Sequence, residues 1–321
     1  MNVNSKIYDN AFRTMVEKTP GLIVLLINEM FGTNYRTDEA VLQSRNEHMS
    51  VDGEVVTDSV FIIRGKRYHI ECQAYDDSTM AIRMVEYDFL VTLEFAERED
   101  GIYRVEFPES CVLYIKKDKL RKPTLDVEIT FPNGKTMLYQ AKAVPAQKYT
   151  LDEIFERRLY ALLPYYILRY ENRRTEIEAS TTEREQLIKE YEYIADKLID
   201  VIKAGDEAGS VNVILDLIKA IADYLLEEQP ETRKGIGETM GGTVLQLASD
   251  AILMRGREEG LADGLAKGMA DGLAKGLADG RLEGRNEERR SNLNTVARNL
   301  MMRNPEWTKD KAMEMAEALF K

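Results

Sequence analysis

Residues 55–74 read VVTDSVFIIRGKRYHIECQA. Two runs rich in β-branched and apolar residues, Val55–Ile63 and Tyr68–Ala74, flank the polar turn Arg64-Gly65-Lys66-Arg67, the pattern of a β-hairpin. Asp58 interrupts the first run, where a carboxylate is costly unless a cation or a donor compensates it. Glu71 and Gln73 stand two apart on the second run and share one face, because strand side chains alternate. With the turn centred on Gly65–Lys66, positions summing to about 131 lie opposite each other. Asp58 is then expected opposite Gln73 and diagonal to Glu71.

Outward from this hairpin the period changes. Residues 6–31 carry apolar residues at helical spacing, with a break at Pro20-Gly21. A helix is predicted over 78–97, capped by Ser78 or Asp77. Cys111–Ile115 reads as a short buried strand, and a second hairpin is predicted over 124–144 around Pro132-Asn133-Gly134-Lys135. From Leu151 onward the pattern is helical. Pro164 is expected to kink or end the helix it interrupts, and 230–243 reads as a linker. This gives an α/β core over 1–148 with a small mixed sheet flanked by helices, a helical region over 149–229 and a linker over 230–249. The remainder, 250–321, holds a glycine-repeat helix and a C-terminal helix pair.

The 321 residues are 44% hydrophobic and 31% charged, an ordinary globular composition. No apolar run reaches the roughly 18 residues of a membrane span, and MNVNSKIYDNAF lacks the build of a signal peptide. With two cysteines and no disulfide framework, a cytoplasmic protein with no membrane partner is expected. Only His48 and His69 are present, which removes His-rich zinc sites and most triad chemistry. The net charge of -12 argues against a generally basic nucleic-acid binder. A local basic surface suffices for phosphate contacts, and Arg64, Lys66, Arg67, Lys116 and Lys117 supply one for a DNA backbone.

Two carboxylates and an amide oxygen at one end of a sheet are hard oxygen ligands of the kind Mg²⁺ favours. Such an ion neutralises phosphate and lowers the pKa of a bound water. The alternative is that Asp58 and Glu71 are solvent-facing residues of an amphipathic hairpin. Arg83 and Tyr87, four apart on the following helix, share a face that can reach a phosphate or hold the carboxylates. Asp9 and Glu17 on the first helix offer further ligands, although Asp9 also fits a helix cap.

Four pieces in order carry a family resemblance: Tyr8-Asp9-Asn10-Ala11-Phe12-Arg13, Thr57-Asp58, Tyr68–Gln73 and Met80–Tyr87, extending to Val112–Ile115. This part of the chain resembles the Rpn family of recombination-promoting, transposase-like nucleases in the PD-(D/E)XK superfamily. The resemblance implies a restriction-endonuclease-like core and metal-dependent DNA endonuclease activity linked to recombination or mobile and foreign DNA. Asp58 and Glu71 would hold Mg²⁺, or Mn²⁺ or Ca²⁺. Gln73 would complete the catalytic set where the superfamily more often has lysine, and Thr57 replaces the proline of the superfamily name. Glutamine offers a dipole where lysine offers a charge. A DNA-binding or scaffolding protein that kept the fold and lost turnover is the competing expectation.

Glycine recurs every fourth residue from Gly256 to Gly284, with Asp263, Lys267, Asp271, Lys275 and Asp279 forming an i, i+4 chain of opposite charge. Eight helical glycines cost about 7 kcal/mol relative to alanine, more than such ion pairs recover. The segment is therefore either a helix that self-associates through its glycine row or a flexible spacer. Self-association into a homo-oligomer is the expectation taken forward.

Overall fold

The computed structural model describes residues 6–44, 47–50, 53–56, 59–74, 78–116, 122–205 and 208–319. Helices α1 (Lys6–Lys18) and α2 (Pro20–Phe31) confirm the break at Pro20, which occupies the first turn of α2 where its missing N–H is harmless. Gly32 ends α2 in the left-handed region, φ 70°, and donates its N–H to the Asn28 carbonyl. Asn28 then clamps the exit: its side chain accepts from the Tyr35 N–H and donates to the Tyr35 carbonyl, both at 2.8 Å.

The strands are β1 (Val41–Ser44), β2 (Glu47–Ser50), β3 (Gly53–Val56), β4 (Ser59–Ile63) and β5 (Lys66–Gln73). Arg64 and Gly65 both have positive φ, 51° and 80°, so β4 and β5 meet in a two-residue turn of the type that matches strand twist. That turn is centred one residue earlier than the sequence suggests. Consequently Ser59 lies opposite Ile70 rather than Cys72, and Val60 opposite His69.

After β5, α3 (Met80–Glu94) crosses to a parallel strand. The helix is shorter than the expected 78–97. Ser78 has φ 61°, which an N-cap does not adopt, so Thr79 takes the cap position; Asp77 lies outside the described residues. At the other end β6 (Glu97–Glu99) and β7 (Ile102–Arg104) pair around Asp100-Gly101, a small hairpin absent from the sequence reading. Strands β8 (Glu109–Tyr114), β9 (Thr124–Thr130) and β10 (Thr136–Pro145) complete a six-stranded mixed sheet of order β1-β4-β5-β8-β10-β9. β8 runs parallel to both β5 and β10, while the β9–β10 hairpin is antiparallel as expected.

Strand alternation sorts the central residues. Tyr68, Ile70, Cys72, Cys111 and Leu113 join the main core with α1 and α2, whereas Val112, Tyr114, Ala141 and Ala143 pack against Met80 and Met84 of α3. The main core does not stop at the sheet. It runs on through α4 (Leu151–Glu156), a 3₁₀ segment (Tyr160–Arg173), α5 (Arg174–Ala179), α6 (Thr181–Ala204) and α7 (Ala208–Leu225) to α8 (Pro230–Thr239). Pro164 does not end its helix; it lies inside a segment, Tyr160–Arg173, that adopts the tighter 3₁₀ form.

The reading of 230–243 as a linker is corrected. Pro230 opens α8, and Thr232, Ile236 and Met240 are buried. The N-terminus of α8 is held by Glu178, which accepts from the Glu231 and Thr232 N–H groups at 3.0 and 2.9 Å and from the Thr232 hydroxyl at 2.6 Å. Helix α9 (Gly242–Arg303) follows, and α10 (Lys309–Leu319) ends the described chain, its Ala312 and Ala316 packed on Ala297. Thr308 caps α10, accepting from the Lys311 N–H at 3.4 Å. The chain divides into two compact units, Met1–Ile252 and Leu253–Lys321. Among the described residues, no helix is long and apolar enough to cross a membrane.

Glu178→Ala leaves two N–H groups and one hydroxyl at the start of α8 without their acceptor. The expected loss is about 1–2 kcal/mol, a Tm lower by roughly 2–6 °C. Thermal unfolding followed by circular dichroism checks it, and an unchanged Tm would show that water replaces the carboxylate.

Candidate functional site

The face of β5 that carries His69, Glu71 and Gln73 looks toward α3, and it is polar where the opposite face is apolar. His69 is fully buried and Glu71 is 2% exposed. The His69 ring bridges two acids: Nδ1 lies 2.6 Å from Oδ1 of Asp88 on α3, and Nε2 lies 3.0 Å from Oε1 of Glu71. Both ring nitrogens can donate only in the imidazolium form. Burial alone would lower the His69 pKa. The hydrogen bonds to Asp88 and Glu71, with their negative charges, outweigh it and push the pKa up to about 10.

The far side of Asp88 is also satisfied. Its Oδ2 accepts from the Ser110 hydroxyl at 2.5 Å and the Tyr139 hydroxyl at 2.6 Å. Parallel pairing places Ser110 directly beside His69. The result is a chain of hydrogen bonds from β10 and β8 through α3 to β5, ending on Glu71.

Around Glu71 stand three of the sequence-predicted residues. The Arg83 Nε–H donates to the Tyr87 hydroxyl at 3.0 Å, and the Tyr87 ring meets the His69 ring edge to face at 6.3 Å. Burial pushes the Asp9 carboxyl up to about 6; Arg13 opposes this, Glu71 adds to it and Arg83 opposes it, so all four lie within electrostatic reach. Asp9, Glu71, Arg83 and Tyr87 are therefore brought together. Glu17 is exposed, two turns further along α1, and stays outside this network. Gln73 is half-buried beside Tyr114, its backbone carbonyl accepting from the Ile115 N–H at 2.9 Å.

Asp58, Thr57 and Lys117 lie outside the described residues. Of the basic residues expected to meet DNA, Lys116 is turned inward: it is 6% exposed and ion-paired to Glu171 at 2.5 Å, because a buried ammonium needs a counter-charge. Arg64 is exposed but forks onto Glu39, and Arg67 stacks over Phe95 while donating to the Glu106 carbonyl at 3.2 Å. Lys66 is exposed in the turn region. The oxygen donors of Glu71 and Gln73 suit a hard divalent cation in kind. Among the described residues no group of three His, Cys, Asp or Glu stands ready to hold a metal.

Sequence reasoning missed His69, Asp88, Ser110 and Tyr139. A signal existed for Asp88: it continues the Met80–Met84 stripe of α3 by one turn, an acid at a buried helical position that demands a partner. Ser110 and Tyr139 offered none, since their role depends on which strands neighbour β5.

Asp88→Ala leaves the His69 charge buried with one partner and is expected to cost about 3–5 kcal/mol in urea unfolding; a loss under about 0.5 kcal/mol would exclude a cationic His69. The His69 pKa is raised in the folded state, so its contribution is complete below its ordinary value of 6.5 and fades as pH climbs through about 10. The unfolding midpoint should fall across that window, and less so in His69→Gln. No family model, no curated protein and no solved structure matches the chain, so these contacts carry the functional argument.

Proposed function

We propose that the chain is a metal-dependent endodeoxyribonuclease with a restriction-endonuclease-like core of the PD-(D/E)XK type, of the kind its sequence resembles. The observation that carries this reading is Glu71: a buried carboxylate on a central parallel strand, one oxygen fixed by a cationic histidine, with Arg83, Tyr87 and Asp9 around it. The element order supports it, with α1, the β4–β5 hairpin, a crossover helix and a parallel β8 in the sequence expected of such a core.

In this reading Glu71 and Asp58 hold Mg²⁺, or Mn²⁺ or Ca²⁺. When bound, the ion neutralises the scissile phosphate and acidifies its bound water. The chain's own residues do the rest. His69 fixes the Glu71 rotamer, so that a ligand is aimed before substrate arrives. Gln73 offers an amide dipole to orient the attacking water. Arg83 brings positive charge to the same end of β5, where a pentavalent phosphate gains charge. Asp9, with a pKa of about 6, exchanges protons near neutral pH. Self-association through the glycine-repeat segment would supply a second active site for cutting the second strand. A role in recombination or in handling mobile DNA follows from the resemblance.

A second reading has its own support. Lys116 is consumed internally, Arg64 is neutralised by Glu39, Gln73 replaces a lysine and the net charge is -12. The missing lysine weakens catalysis and the other three features weaken DNA contact, which together favour a scaffolding protein, or at most a weakly DNA-binding one, without turnover.

Supercoiled plasmid incubated with the full chain and Mg²⁺, Mn²⁺ or Ca²⁺ separates the two. Nicking or linearisation is expected, reduced about 100-fold or more in Asp58→Ala and Glu71→Gln, and maintained or raised in Gln73→Lys. Cleavage undiminished in Asp58→Ala would reject the assigned site; DNA retention without cleavage under every metal would select the second reading.

A further inference from the structure

Helix α9 continues through the glycine row without covering it. Every residue from Gly260 to Arg290 is exposed, and an added Cβ on any glycine from Gly256 to Gly284 would meet nothing within 4 Å. Beside the glycines runs an equally bare apolar row: Leu261, Leu265, Met269, Leu273 and Leu277 are between 56% and 76% exposed. Five large apolar side chains in line with no cover, on a helix weakened by its glycines, call for a partner along this face.

The charges say which partner. Going round the helix at about 100° per residue, the glycine row is flanked on one side by the Leu/Met row and on the other by the Asp/Lys row, each about 60–100° away. A helix seated on the glycines therefore touches an apolar flank and a charged flank. A second copy in parallel, related by a twofold axis along the helices, swaps the flanks and sets the Asp/Lys row of each against the Leu/Met row of the other, and a parallel copy shifted by four residues would not close into a dimer. An antiparallel copy behaves differently. With the twofold axis at Met269, Lys267 comes level with Asp271 of the second copy and Asp263 with Lys275. Leu265 meets Leu273, Leu261 meets Leu277, and Met269 meets itself. The glycines of the two copies then interleave at half-turn intervals. Moving the axis to Leu273 keeps the central charge pairs but sets Leu265 against Arg281 and Leu261 against Arg285, which shortens the apolar row from five positions to three.

We infer that α9 self-associates as an antiparallel pair across a twofold axis at Met269, with glycine rows interleaved, Leu rows on one flank and Asp/Lys rows on the other. Because an i, i+4 row drifts about 40° per step, the two helices cross rather than run side by side. Contact is thus concentrated on residues 265–273. The inference rests on the self-association proposed above and is independent of the nuclease chemistry.

Single cysteines introduced in the full chain test the geometry, since Cys72 and Cys111 are buried and do not compete. Under mild oxidation Met269→Cys is expected to cross-link to itself in most of the protein. Leu265→Cys and Leu273→Cys should each cross-link at least about five-fold less alone, and efficiently when mixed, because their twins sit roughly 12 Å away along the axis. Light scattering should give twice the chain mass, and exchanging the charges in Lys267→Asp should weaken the dimer about ten-fold. Dimeric mass with Leu265→Cys linking to itself as readily as Met269→Cys would overturn the antiparallel arrangement alone. A monomeric mass would overturn self-association as well and assign the face to a different protein.

Discussion

A buried imidazolium held between two carboxylates organises the first unit of this protein. His69 sits where the faces of β5, β8 and α3 meet, and its charge is tolerable only because Asp88 and Glu71 are both within hydrogen-bond reach. Each acid in turn depends on the histidine. Asp88 needs the Ser110 and Tyr139 hydroxyls as well, which ties β10 to a helix it would otherwise touch only through alanines. The register of β5 on β8 follows from the same demand, for a slip by one residue would move Ser110 from beside His69 and point every polar side chain into the apolar core.

This network explains why the polar face of β5 can be dry without being unstable. His69 and Glu71 on a central strand would be unfavourable if each side chain stood alone. Linked, they form one satisfied unit in which Glu71 has little rotational freedom. For a carboxylate whose proposed task is to hold a cation, that restriction is useful: the entropy of aiming it is lost on folding rather than on binding.

The hairpin, the α/β order and the break at Pro20 were legible because each depends on near neighbours in sequence. Register was legible only to within one turn position, since it hinged on whether Arg64 or Lys66 would share the turn with Gly65, and a non-glycine residue at positive φ gives no compositional signal. The small β6–β7 hairpin was missed although its Asp100-Gly101 turn is a local signal, whereas the helical state of 230–239 depends on a distant one. Turn-like composition, PETRKGIGET, reads as a linker until Glu178, more than fifty residues away, is known to cap it. Helix spacing anticipated the shared face of Arg83 and Tyr87, but not that Asp9 rather than Glu17 would lie near Glu71. The inward turn of Lys116 was not anticipated either, because its partner Glu171 belongs to a segment that sequence alone could not bring near β8.

The continuity of the main core has a consequence for synthesis. Phe12 and Met15 of α1 and the apolar run of α2 share one core with Ile214, Leu215 and Ile218 of α7, and the Tyr8 ring meets Tyr224 edge to face at 6.1 Å. None of those later residues exists while the first helices leave the ribosome. At about 5–20 residues per second, the interval between the emergence of α2 and of α7 is roughly 10–40 s. Throughout it, Leu22, Ile23, Leu26 and Ile27 lack much of their native cover. The sheet and the helices after it are thus one folding unit in time as well as in space, completed only when its last elements are made.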